Sequence, residues 1–341
     1  MNTELLKQLC GTGGISGDEK SVRELIINEI TPYVESIKID AMGNVIAFKK
    51  GKKDAIKKLM VSAHMDEVGF IVTNITNSGV LKIDTVGGID RRVICGKSVL
   101  IGDNKIKGVF GVKPIHLLTT DEKDKIPKIN EMYCDIGATS KSEAEKYVTV
   151  GDSVTFNSKT MIDDQRVISK AIDDRIGCLV LIDMIKEELE YDMYFTFLVQ
   201  EEVGLRGAKT ASYSVNPDSA IVVEATTACD IVGTSDVKQV CQLGKGAVIS
   251  FMDRTTIYDK EYYNLALNIA KENNVDIQIK QAVAGGNDSG AIHCSRGGVR
   301  TLAVSIPCRY LHSASSIIAT KDYESVYTIV KETSLIIAGG K

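Results

Sequence analysis

The amino-acid sequence predicts an α/β fold: a mixed, largely parallel sheet flanked by helices, with a small all-β domain inserted into it. Three observations carry that expectation. Short β-rich runs alternate with helix-length patterns on both sides of a central stretch, as in a sheet covered on both faces. Between about residues 70 and 163 the pattern changes to consecutive strand-like runs. Several apolar runs outside that stretch end in histidine, aspartate or glutamate, and open α/β sheets bind ligands beyond the carboxyl ends of their strands.

In chain order, the stretch from Ser16 to Glu19 has the S-x-x-E form of a capping box ahead of SVRELIINEI, whose apolar residues recur at steps of three and four. A helix is expected from about residue 18 to 34. VIAFKK and KLMVSA then read as strands. In the insert, FIVTNI, VLKIDTV, SVLIG, KIKGVFGV and DSVTF are strand-like, broken by Gly and Asp-Asn turns, and only SKSEAEKYV suggests a helix. Beyond it come the helix DRIGCLVLIDMIKEELE, the strands MYFTFLVQ and SAIVVE, the helix EYYNLALNIAKENN and the strand TLAVSI. The α/β domain is therefore expected to be discontinuous, residues 1–69 and 164–341, around an insert of residues 70–163.

The chain of 341 residues is long enough to bury a sizeable core. Hydrophobic residues at 44% and charged residues at 25% exclude disordered, collagen-like and coiled-coil classes. A net charge of -4 offers no electrostatic footprint for nucleic acid, and the basic cluster at 49–53 reads as a solvated turn. The chain opens without a basic n-region and apolar h-region and has no run of 18 apolar residues, which predicts a cytoplasmic protein without a membrane partner. Its eight cysteines form no CxxC pair and are expected to be reduced thiols.

The strand ends carry the chemistry. KLMVSA runs into His64 and Asp66, MYFTFLVQ into Glu201 and Glu202, SAIVVE ends in Glu224, and His312 follows TLAVSI within a few residues. Asp173 and Asp174 open the helix after the insert. Each signal is weak alone, since a lone H-x-D is more often structural and the doublet Glu187-Glu188 is a solvated helix face. Two acids directly after YFTFLVQ differ, because burying them is costly unless a cation compensates. Two histidines and three carboxylates suit zinc, cobalt or manganese better than calcium or magnesium. Five ligands exceed one tetrahedral zinc with an open position. They fit two metals sharing a bridging carboxylate, a pair about 3.5 to 4 Å apart that holds a water or hydroxide.

AHMDEVGF, KAIDDRIG, QEEVGLRGA, EATTACD, GGNDSGAI and SIPCRYLHS, in this order, resemble the motifs of the tetrahedral (TET) metallo-aminopeptidases, which include glutamyl, leucyl and deblocking enzymes and proteins labelled cellulases. VGGIDRRVICGKSV, GVFGVKPIHLL and DIGATSKSEAEKYVTVGD extend the likeness through the insert. The resemblance implies a zinc-peptidase type of phosphorylase/hydrolase-like fold. It makes His64 and His312 the terminal histidines, Asp173 the bridge, Glu202 and Glu224 the remaining ligands, and Glu201 the general base. Asp66 becomes the group that orients His64. Many members carry aspartate where this chain has Glu224. Gly286, Asn287 and Asp288 are implied to line the substrate end of the crevice, with Arg309 a further substrate contact. A helix cap at Asn287 or Asp288 is the alternative. His116 is expected to serve structure or subunit contact.

The implied reaction is removal of N-terminal residues from short peptides by a water held between two divalent ions, zinc or cobalt with manganese possible, and deprotonated by Glu201. The insert is implied to build dimers that assemble into a twelve-subunit shell. Two rivals stay open at this stage. A glycoside hydrolase would use two carboxyl groups and no transition metal, which leaves the histidines unexplained. A non-catalytic scaffold of the same fold would have no need of the intact cluster.

Overall fold

The computed structural model describes residues 1–341. Three strands precede the insert: β1 (Ser36–Ile39), β2 (Val45–Lys49) and β3 (Leu59–His64). Six more, β4 (Gly69–Ile75), β5 (Leu81–Val86), β6 (Ser98–Ile101), β7 (Ile106–Gly111), β8 (Tyr133–Asp135) and β9 (Ser153–Phe156), close into an antiparallel barrel in the order β4-β5-β8-β7-β6-β9. Closure leaves no sheet edge open. Phe70, Phe110 and Phe156 meet edge to face inside it, with Val72, Val99 and Val154 around them.

Past the barrel, β10 (Met161–Ile162) and β11 (Arg166–Ser169) join β17 (Ser316–Ala319) in a three-stranded sheet. The main sheet is completed by β12 (Met193–Leu198), β13 (Ser219–Thr227), β14 (Ala247–Ile249), β15 (Ile277–Ile279) and β16 (Arg300–Cys308). Its order is β1-β2-β12-β3-β13-β16-β14-β15, and the four central neighbours β12, β3, β13 and β16 run parallel. Strands buried on both faces read as continuous apolar runs, and β3 is buried at all six positions.

Helices α1 (Thr3–Gly11), α2 (Lys20–Ile30), α3 (Thr120–Lys123), α4 (Lys141–Ala144), α5 (Ile172–Lys186), α6 (Arg206–Val215), α7 (Lys260–Glu272), α8 (Ser289–Ile292) and α9 (Thr320–Ala338) complete the chain. One sheet face packs on α1, α2, α5, α7 and α9 in the larger core, and the other on α6 and α8. Apolar on almost every side, α5 lies buried through the centre. No helix is long and apolar enough to cross a membrane.

Three local expectations change, the first being that α5 stops at Lys186, so Glu187 lies past the helix and accepts from Tyr327 and Lys331 instead of standing on a solvated helix face. Helix α2 begins at Lys20 without a side-chain cap. Ser16 donates instead to Asp66 Oδ2 at 2.6 Å, and Glu19 Oε1 accepts from the amides of Gly17 and Gln200 at 2.7 and 3.1 Å. The would-be capping residues are engaged by a tertiary network. The helix after the insert is also not regular from its first acid, because Asp173 and Asp174 hold non-helical torsions and the bond between them is cis.

Candidate active site

The four parallel strands all end at one edge of the sheet, and each feeds a side chain into the crevice there. His64 is the last residue of β3 and Glu224 lies near the end of β13. Beyond β12 the chain turns at Gln200, whose φ is +56°, so that Glu201 and Glu202 leave the alternation of a strand. His312 sits in the loop between β16 and β17. Asp173 comes from the irregular start of α5.

These residues converge. His64 Nε2 lies 3.2 Å from Asp173 Oδ1 and 3.3 Å from Glu224 Oε1. His312 Nε2 lies 3.3 Å from the other Asp173 oxygen and 3.1 Å from Glu202 Oε1. Asp173 thus stands between two histidine–carboxylate groups with one oxygen toward each.

The outer face of each imidazole fixes its tautomer. His64 Nδ1 lies 3.1 Å from the carbonyl of Asp66, and His312 Nδ1 lies 2.8 Å from the carbonyl of Gly88 in the barrel. A carbonyl only accepts, so both Nδ1 atoms carry hydrogen and both Nε2 atoms turn toward the carboxylates. Without a cation the rings must be protonated there. Burial alone would lower their pKa values, but Asp173 and Glu202 hold His312 up at about 11, and the carboxylates around His64 raise it well above its ordinary range.

The donor set fits divalent ions. Ligand atoms around one tetrahedral zinc, bonded at about 2.0–2.1 Å, lie roughly 3.3 Å apart, close to the separations found here. Glu202 Oε1 is buried and lies off the line of a hydrogen bond to His312, while both Asp288 oxygens are buried without a partner. Burial, with neighbouring acids, pushes Glu201, Glu224 and Asp288 well above the usual carboxylate range. The buried cations nearby are committed elsewhere, Lys170 to Glu67 and Arg175 to backbone carbonyls. Acid outweighs base in this crevice, which is the condition a bound cation relieves.

Asp66 does more than sit near His64. Its Oδ1 accepts the amide of Glu201 at 3.0 Å and its Oδ2 accepts that of Glu202 at 3.1 Å, so it holds the turn carrying both acids. Its distance to His64 Nδ1 is 3.5 Å, longer than that of its own carbonyl. Asp174 lies within the same cluster, but the amides of His64 and Gly177 engage its two oxygens.

At the far end, Asn287 exchanges hydrogen bonds with Tyr258 and accepts the amide of Ser289, while Gly286 packs so closely on Thr255 that a Cβ would meet it at 2.8 Å. Arg309 forms a two-point pair with Asp230, both contacts at 2.7 Å. Cys308 is fully buried, which pushes its thiol up and leaves no reactive thiolate. His293 Nδ1 donates to the Ser289 carbonyl, and His116 is exposed on the barrel. The Gly88 carbonyl has no signature in the sequence, although the pair Gly87-Gly88 marks a place of close backbone approach.

An α/β sheet with this cluster at the carboxyl ends of its strands, interrupted by a barrel, is the architecture that comparison with known proteins assigns to peptidases. A family profile described as M42 glutamyl aminopeptidase matches residues 43–329. A lysyl aminopeptidase of Pyrococcus furiosus is 32% identical over 96% of this chain and 95% of its own. The crystal structure of a TET aminopeptidase from a marine sediment archaeon of the Thaumarchaeota superposes with a TM-score of 0.93 at 35% identity, covering 97% and 94% of the two chains. The TET1 peptidase of Pyrococcus horikoshii, described as assembling into a tetrahedron or a large octahedral shell, gives 0.87 at 34% identity over 97% and 98%. The chain belongs to the M42 aminopeptidase family.

Proposed function

We propose that this peptidase is a two-metal aminopeptidase acting on short peptides with a free N-terminus. The observation that carries the reading is the pair of Nε2 atoms aimed at opposite oxygens of one carboxylate, Asp173. His64, Asp173 and Glu224 would hold one ion, and His312, Asp173 and Glu202 the other. Bound zinc or cobalt, or manganese, supplies Lewis acidity and a water of lowered pKa.

The chain's own residues do the rest. Glu201 sits beside the cluster on the turn that Asp66 holds, and no protein hydrogen bond occupies its carboxylate, so it is free to take a proton and return it to the leaving amine. Asp66 fixes the base and the ligand Glu202 through one carboxylate. Gly286, Asn287 and Asp288 are assigned to the substrate end, with Gly286 exposed and the other two buried behind it. Arg309 reaches substrate only past its pair with Asp230. A glycosidase reading gives the two histidines no task.

The test is a matched pair of peptides, one with a free N-terminus and its N-acetylated twin, digested by the zinc- or cobalt-loaded protein and followed by mass spectrometry. The free peptide should be trimmed residue by residue and the twin left nearly intact. Internal cleavage of both at similar rates would sink the aminopeptidase reading.

Self-association through the barrel belongs to the same proposal, with a dodecamer built from dimers as its full form. Val109, Val112, Ile115, Leu117, Ile126 and Tyr133 leave apolar surface exposed on one part of the barrel, and the Pyrococcus horikoshii relative forms shells. Light scattering should give a mass well above 37.0 kDa; a persistent monomer would remove this part. Eight unpaired cysteines suit a reducing compartment, in keeping with the cytoplasm.

A further inference from the structure

Asp173 is placed by a segment with no regular structure of its own. Ala171 has a φ of +54°, and Asp173 and Asp174 depart from helical torsions, so neither strand ladder nor helix sets the position of the bridging carboxylate. What surrounds it instead is a set of buried side-chain bonds to the stretch that follows His64.

Lys170, three residues before Asp173, and Arg175, two after it, are both buried, as is Glu67. Lys170 Nζ donates to both Glu67 oxygens at 2.6 and 2.7 Å. Arg175 Nε donates to the carbonyl of Met65 at 2.6 Å, and its outer nitrogens donate to the carbonyls of Leu9, Thr12 and Gly14. Glu67 is tied to the same N-terminal stretch, its amide donating to the Gly14 carbonyl at 2.9 Å and its Oε1 accepting the Gly14 amide at 3.2 Å. Cys178 Sγ lies 3.1 Å from the carbonyl of His64. Side chains on both flanks of Asp173 therefore grip His64, Met65 and Glu67.

We infer that Lys170, Glu67 and Arg175 are positioning residues: they set the separation of His64 and Asp173 before any ion arrives, and so preorganise the first metal half-site. The inference rests on the two-metal reading. Stability is a poor reason for such a cluster, because desolvating a buried ion pair often costs as much as its attraction returns, and a well-packed apolar pair serves folding equally well. Direction is what the charges add. A bidentate ammonium–carboxylate contact and a forked guanidinium hold their partners in a defined orientation, and groups behind metal ligands tune affinity by orienting them.

The experiment is a zinc titration against a competing chelator at 25 °C on the full chain, with Tm measured alongside. Lys170→Met combined with Glu67→Leu removes both members of the pair, together with the Glu67 contacts to the Gly14 amide and the Arg175 guanidinium, which keeps its backbone carbonyls. It should lower Tm by a few degrees, since the Gly14 amide loses an acceptor, yet stay folded at 25 °C and bind zinc about 10- to 100-fold more weakly. Glu67→Gln retains an acceptor for Gly14 but leaves the buried Lys170 ammonium without its counter-charge, so it should lower Tm more than the double variant and weaken zinc binding at least as much. Zinc affinity equal to the unaltered protein's in both variants would overturn the clamp; should the double variant not fold, equality in Glu67→Gln alone does so. If the unaltered protein binds no zinc in the same titration, the two-metal reading fails and takes the clamp with it.

Discussion

The two halves of the cluster are built at different depths and from different parts of the chain. The His64 side chain is 2% exposed, its Nδ1 is held by a carbonyl two residues away, and its neighbours all belong to the α/β unit. The His312 side chain is 36% exposed, and its Nδ1 is held by Gly88 of the barrel. A short local loop and a packed core set the first half, whereas the second is complete only when a loop of another folding unit lies over it. Equal ligand chemistry on the two sides of Asp173 therefore does not imply equal rigidity.

The largest effect expected from this comparison separates base from ligand. Glu201→Gln keeps the shape of the turn and should lower kcat by roughly 10² to 10⁴ with metal per chain unchanged. Glu202→Gln should empty the His312 half, and added zinc or cobalt should restore part of the activity. Glu224→Gln should empty the other half. Elemental analysis beside kcat reads all three, and metal loss in the Glu201 variant with full loading in the Glu202 variant would reverse the assignment.

A smaller effect concerns release. Against increasing chelator the two ions should leave in two steps, the exposed half first, with affinities differing by about tenfold or more. A single step would mean that the two halves hold their ions equally. Smaller still, Gly87→Ala should widen that gap by weakening only the His312 half. Gly87 has a φ of +82°, and a Cβ there would meet Val68 at 2.8 Å and the Cβ of Glu202 at 3.3 Å, pushing the loop away from His312. A global stability loss of about 1 kcal/mol accompanies it. Unequal weakening is the reading that counts; equal weakening of both halves would break the assignment of Gly88 to one of them.

Sequence legibility follows the same division. The strand-end residues His64, Glu224 and the Glu201-Glu202 doublet stand out because an apolar run ending in acids or histidine is a local pattern, and the central parallel strands are apolar for the same two-faced burial. The three-residue β8 has no such run, and Met161–Ile162, inside the expected insert, pairs outside the barrel with β11. Ser16 and Glu19 matched a capping box because that motif spans four residues, whereas their true partners, Asp66 and Gln200, lie far along the chain. The Gly88 carbonyl and the Lys170–Glu67 pair were silent for a related reason: a backbone oxygen has no residue identity, and a lysine and a glutamate about a hundred positions apart carry no mark of pairing.

On the two-metal proposal, the order of the sheet bears on when the protein could acquire ions. The cluster draws on β12, β3, β13 and the loop after β16, and its two histidines stand about 250 residues apart in sequence. Contacts of such separation form late, after the closure of long loops has been offset by the rest of the core. No stretch of the chain ending before β16 contains both histidines, so a growing or half-folded polypeptide has the bridging Asp173 and the His64 half but lacks the histidine that completes the second half. Loading would then be a readout of completion: a chain carrying both proposed ions would be one whose last parallel strand has already docked.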